Sequence, residues 1–226
     1  MVSSSTSEAE LDALLARIRA CRLCVEAPLG APLPHAPRPV VRVSRAAPIL
    51  VAGQAPGTKV HLTGLPFNDA SGDRLRAWMG ISRDTFYDMD RIGVAAMGFC
   101  FPGQDAKGTD LPPRKECAAT WHDLLFAHLP PFRLVLAVGR VAQVYHLRRL
   151  GLGHLVKPNL TDTVADWRAI RAARAHGPEG GVATVVYPLP HPSWRNTGWL
   201  KRHPFFEEEL LPQLKADVAR ALQDAG

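Results

Sequence analysis

The feature that most restricts the fold of this chain is a set of short apolar, β-branched runs, each followed by a turn and then by a helical pattern. Residues 48–52, 132–138 and 183–189 are apolar but for Arg133 and Thr184 near the start of the last two, and a weaker run of the same kind spans 91–97. A strand covered on both faces has no side turned to water, so its sequence loses the apolar-polar alternation of a half-exposed strand. Helical patterns fall at 8–20, 71–79, 114–128, 141–150, 164–175 and 204–222, the last kinked by Pro212. This alternation predicts an α/β fold with a central parallel sheet of about four strands flanked by helices on both faces. Such sheets place their ligands at the carboxyl ends of the strands. A length of 226 residues suits one domain, 1–226, with residues 1–7 expected to lie outside the fold.

The apolar runs are far too short to span a bilayer, which excludes a membrane-embedded role. The Ser-rich start has no basic segment, and Glu8 and Glu10 interrupt before an apolar stretch can form. A cytoplasmic monomer, nucleoid-associated in a bacterium, is therefore expected. The formal charge of +6 suits a polyanionic partner, although solvated basic faces produce the same balance.

Four cysteines are present, Cys21 and Cys24 at the end of the first helical pattern, then Cys100 and Cys117 at the two ends of a Pro/Gly-rich loop. No cysteine is left over, which suggests one metal centre. Disulfides rarely persist in a reducing compartment. A structural zinc site is the alternative, but zinc ribbons and fingers usually bring a second close pair that is missing here. An iron-sulfur cubane accepts such scattered ligation, and spacing alone leaves the two nearly even. Between the first pair and the first strand, Pro28, Pro32, Pro34, Pro37 and Pro39 disfavour helix and predict an extended surface connection.

Three segments carry candidate chemistry. Gly53-Gln-Ala-Pro-Gly57 follows the first strand directly, where glycines let backbone amides approach a ligand. Next comes Gly64-Leu-Pro-Phe-Asn-Asp-Ala-Ser-Gly72, which presents a ring at Phe67, an amide at Asn68 and a carboxylate at Asp69 just ahead of a helix. Taken alone, Asp69 or Ser71 reads as an N-cap, and Phe67 as core. His191-Pro-Ser-Trp-Arg-Asn196 follows the last strand and puts an imidazole, a hydroxyl, a cation and an amide where a base and its flanking phosphates would lie. Arg168, Arg171 and Arg174 recur at near-helical spacing and read as a solvated helix face.

The order C-x2-C, G-Q-A-P-G, G-x-P-F, a cysteine pair across a Pro-rich loop and H-P-S resembles the iron-sulfur uracil-DNA glycosylases of families 4 and 5. The resemblance runs from Cys21 to about residue 200. It implies a [4Fe-4S] cluster on Cys21, Cys24, Cys100 and Cys117, and a DNA partner containing uracil or another deaminated base. It implies a monofunctional DNA N-glycosylase that flips the base out of the duplex and hydrolyses its glycosidic bond. Phe67 then stacks on the flipped base, His191 donates to a carbonyl oxygen of the base, and the turn at Gly53, Gln54, Ala55 and Gly57 surrounds it. Ser193, Trp194, Arg195 and Asn196 meet the DNA strand, with Trp194 or Arg195 as a wedge. Asn68-Asp-Ala-Ser-Gly is closer to the family 5 segment, which makes Asp69 the catalytic carboxylate. Family 4 has a Glu-Asp pair where this chain has Val60-His61, and His61 is a lower-ranked catalytic candidate. Family 4 also reads the base edge with an Asn four residues before the third cysteine, a place taken here by Ala96, which extends the expected range of bases to hypoxanthine and xanthine. Two other readings stay open on the residues alone, a non-catalytic iron-sulfur protein that binds nucleic acid and an iron-sulfur electron carrier.

Overall fold

The computed structural model describes residues 4–175 and 183–224. Four strands form one sheet, β1 (Ile49–Ala52), β2 (Ile92–Val94), β3 (Leu134–Val138) and β4 (Val185–Leu189), in the spatial order β2-β1-β3-β4. Every pairing is parallel, with Ile49 in register with both Ile92 and Leu134, and Leu134 with Val185.

Side-chain direction along the strands explains the unbroken apolar runs. Ile49, Val51, Leu134, Leu136 and Val138 enter one core, together with Leu75, Trp78, Phe206 and Leu214 from helices. Leu50, Ala52, Val135 and Ala137 point the other way, into a core shared with Leu11, Ile18, Leu125 and Leu147. Alternate residues therefore face opposite sides, as the two-residue period of a strand requires, and helices cover both. The edge of β2 is blunted by an antiparallel bridge between Arg42 and Val94, which occupies backbone groups that would otherwise invite another strand.

Most helices fall where periodicity puts them: Ala70–Met79, Lys115–Ala127 and Arg140–Arg149. The first begins earlier than expected, spanning Ser4–Arg19, while residues 1–3 lie outside the described part. The pattern at 164–175 divides into Leu160–Ala165 and Trp167–Ala173, separated at Asp166. The pattern at 204–222 opens with a wide turn over Phe206–Leu210 before Leu211–Gln223, because Pro212 lacks the amide that would continue the ladder at that point.

Two expectations need correction. The arginines at near-helical spacing form a solvated face only in part: Arg168 and Arg174 are exposed, whereas Arg171 is half-buried. Arg171 Nε lies 2.7 Å from Asp217 Oδ2, the Tyr187 hydroxyl donates to the same oxygen at 2.9 Å, and Arg168 pairs with Glu209. Arg171 thus ties a helix and β4 to the C-terminal helix, and against the opposing effect of desolvation the bond to its guanidinium holds the buried Asp217 carboxyl below its ordinary range. Nor is the Pro-rich stretch only a surface connection. Leu33 is buried beside Cys24 and Cys100, and Pro37 and Pro39 wall the space that the cysteines enclose.

No helix of the described residues is long and apolar enough to cross a membrane.

Candidate active site

The strand order reverses between β1 and β3, and a cavity of about 490 Å³ opens at the carboxyl end of β1. Its walls bring together Gly53, Gln54, Ala55 and Gly57 after β1, Phe67 and Asp69 from the next loop, Ala96 after β2, and His191, Ser193, Trp194 and Arg195 after β4. Eleven of the thirteen residues expected to act on base or DNA therefore share one space.

Local folding explains how each is held. The turn after β1 is pinned from the side, because the Met97 amide donates to the Gly53 carbonyl at 2.9 Å and the Gly98 amide to the Gln54 carbonyl at 2.8 Å. Those bonds carry Ala96 to the cavity. Gln54 lies against Gly139, whose φ of 85° and crowding by the Gln54 amide both demand glycine at the end of β3.

Phe67 has a φ of 52°, a left-handed conformation unusual for a side chain of this size. Its carbonyl accepts from the Tyr87 hydroxyl and from Arg76 Nη1, each at 3.2 Å, which holds the backbone in place. A Cβ on Gly72 would lie only 1.7 Å from that carbonyl oxygen, so the helix can start here only with glycine in its first turn. The ring of Phe67 reaches over Gly53 and meets Phe86 edge-on at 6.0 Å.

Asp69 is an N-cap that also faces the cavity, and its Oδ1 accepts the Gly72 amide at 2.9 Å. His191 is partly buried. Desolvation lowers its pKa, while the charges of Asp69 and Asp110 act in the opposite direction, so the imidazole is neutral at pH 7.

Asn68 and Asn196 are not among the lining residues. Asn68 Oδ1 accepts from Arg83 at 2.9 Å, and Asn196 Nδ2 donates to the His191 carbonyl at 2.7 Å, which braces the turn presenting the imidazole. His61 is also outside, packed against His35 and Phe101 with ring centroids 4.3 and 5.8 Å away. Asp73 is engaged with Arg76 at 2.6 Å. Two features escaped sequence reasoning. Arg74 donates to the Ser193 carbonyl at 2.9 Å and so ties the loop of Asp69 to that of His191. Gln104, Thr109 and Asp110 also line the cavity. They belong to a small hairpin in which Asp105 Oδ1 accepts the amides of Lys107 and Thr109, a turn signal legible as Asp-Ala-Lys-Gly within the loop but lacking any cue to where it points.

A second, apolar cavity is lined by all four cysteines, together with Ile18, Phe99 and Trp121. Trp121 Nε1 donates to Cys21 Sγ and the Phe99 amide to Cys117 Sγ, each at 3.3 Å. Burial pushes the Cys100 and Cys117 thiols up to about 12 and raises Cys24, so these groups ionise only with a cation beside them. Among the described residues, no three His, Cys, Asp or Glu side chains close around a single metal ion.

Residues 41–215 match the model of the uracil DNA glycosylase superfamily. The chain belongs to that superfamily. The match takes in all four strands and every lining residue of the cavity at the end of β1 except Val40. Members of the superfamily are generally DNA glycosylase hydrolases. The N-terminal cysteine pair lies outside the matched segment.

Proposed function

We propose that this protein is a monofunctional DNA glycosylase that acts as a monomer on uracil, and on hypoxanthine or xanthine, in DNA. The observation that carries the reading is the meeting of Phe67, Asp69 and His191 in one cavity at the carboxyl end of β1. A base inside a duplex cannot reach such a cavity without leaving the stack, and a ring held in fixed geometry offers the extruded base a replacement surface. The bond from C1′ to the base nitrogen breaks with its electron pair departing on the base, and water adds to C1′ and loses a proton. Positive charge develops on the sugar, where Asp69 stabilises it and orients the water. Negative charge develops on the base, where His191 and the amides of the Gly53–Ala55 turn donate. Trp194, 75% exposed at the mouth, and Arg195 beside its ring contact the strand that the base has left.

We further propose that Cys21, Cys24, Cys100 and Cys117 hold a [4Fe-4S] cluster. The donor set fits: four thiols line one apolar cavity, and two of them already receive N–H bonds of the kind that stabilise cluster sulfurs. When bound, the cluster cross-links the end of Ser4–Arg19 to the two ends of the hairpin loop.

Incubating the purified protein with oligonucleotides bearing uracil, hypoxanthine or xanthine, then cleaving abasic sites with alkali, tests the activity. Strand cleavage at the damaged position is expected, and its absence with all three bases overturns the assignment.

A further inference from the structure

The loop between Cys100 and Cys117 does more than join two thiols. Residues 103–111 fold back on themselves: the Leu111 amide donates to the Gly103 carbonyl at 2.9 Å, Gln104 bridges Asp110, and the Gln104 side-chain amide donates to Asp110 Oδ1 at 2.9 Å. This hairpin forms one wall of the base cavity through Gln104, Gly108, Thr109 and Asp110. Asp110 reaches the first turn as well, since a Cβ built on Gly57 would meet its Oδ2 at 3.4 Å. A carboxylate at the mouth of a cavity built for a polyanion opposes binding, so its placement there calls for a compensating role.

We propose that Asp110 is a positioning residue of the active site, which acts on His191 from the hairpin while Asp69 acts on it from the cap of Ala70–Met79. The proposal rests on the glycosylase reading of the cavity. Among the described residues, the charged groups that line the cavity with His191 are Asp69, Asp110 and Arg195, and Arg74 meets the same loop through the Ser193 carbonyl. The two carboxylates favour the imidazolium, and burial opposes them. His191 therefore meets the departing base as a neutral ring whose remaining proton affinity depends on two separate elements, one of them fastened at both ends by cysteines.

Asp110→Asn and Asp110→Ala separate this role from a structural one. Asparagine keeps the oxygen that accepts from Gln104 and removes only the charge. Loss of a neighbouring negative charge destabilises the imidazolium, so the His191 pKa, followed by imidazole NMR, is expected to fall in Asp110→Asn at low salt, and by less at high salt. The limb of the single-turnover pH profile that reports His191 moves to lower pH by the same amount, whichever form of the ring is active. An unchanged His191 titration in Asp110→Asn overturns the proposal. So does impaired excision confined to Asp110→Ala, which makes the residue only the clasp of the hairpin. If the unsubstituted protein releases no base, the glycosylase reading fails instead, and the NMR titration still decides whether Asp110 governs His191.

Discussion

The cavity at the rim of the sheet and the cavity that the cysteines enclose are built on opposite principles. The cavity at the rim of the sheet is open and mixes polar with apolar walls, and its candidate groups Phe67, Asp69 and His191 sit after strands or ahead of the helix that follows. The cysteine cavity is dry, and its four thiols come from three separate segments that mean nothing singly. In the first, a side chain is placed by its own turn, so chemistry and stability are separable residue by residue. In the second, the proposed cluster would give the thiols a single shared role, so loss of any one would remove it. Residues 99–117 belong to both, with Phe99, Cys100 and Cys117 in the dry cavity and Gln104 to Asp110 in the other.

The largest expected effect comes from the dry cavity. Cys117→Ser should lose bound iron and sulfide and lower the melting temperature on the order of 10 °C, because metal binding and folding share the same free energy. Colour, metal analysis and thermal melting check it together. Stoichiometric zinc without sulfide in the unsubstituted protein makes the site a zinc site, and unchanged melting of the variant removes the contrast between the cavities.

Asp69→Asn is the complementary test in the cavity at the rim. Asparagine caps a helix about as well as aspartate, so the Gly72 bond survives and melting should hardly change. Excision should fall about a hundred- to a thousandfold, the usual cost of removing an electrostatic stabiliser from a desolvated site. Near-normal single-turnover rates in Asp69→Asn, with a lowered melting point only in Asp69→Ala, make Asp69 a cap and nothing more.

Gly72→Ala is expected to breach the separation. Its methyl would collide with the Phe67 carbonyl, so the first turn must shift and carry the ring with it. About 1–3 kcal/mol of stability should be lost, the usual range for overpacking, together with part of the excision rate. Unaltered melting and excision would show that the turn yields without moving Phe67.

The sheet was legible because strands covered on both faces write their burial directly into consecutive positions, as Ile49 to Ala52 and Leu134 to Val138 do. Short motifs at strand ends likewise made it legible that Phe67, Asp69 and His191 would share one cavity, since position along a parallel sheet already implies a common rim. Asp110 and Arg74 were not legible, because their contacts depend on where a loop folds in space. Arg171 misled for a related reason: near-helical spacing groups it with the exposed Arg168 and Arg174, but only packing decides that Arg171 itself meets Asp217. Asn68 and Asn196 carry the polarity expected of ligand contacts, yet each spends it on a neighbouring loop.

The smallest expected effect concerns selectivity at Ala96. Its methyl lines the base cavity and offers no hydrogen bond, so nothing at this position leaves a polar group unpaired when a purine enters. Sites that reject a wrong base do so largely through such unpaired groups. Ala96→Asn supplies one donor and one acceptor at the rim while the turn stays pinned by the Met97 and Gly98 amides, which bond the backbone of Gly53 and Gln54. A single neutral hydrogen bond contributes on the order of 1 kcal/mol, equivalent to roughly a fivefold change in a rate ratio. The ratio of uracil to hypoxanthine excision should therefore rise severalfold in Ala96→Asn, with uracil excision itself little altered and melting unchanged. Paired single-turnover rates on the two substrates measure that ratio directly. A ratio that stays constant, or an unsubstituted protein confined to uracil, moves base selection away from Ala96 to another wall of the cavity, with Gln54 the first residue to examine.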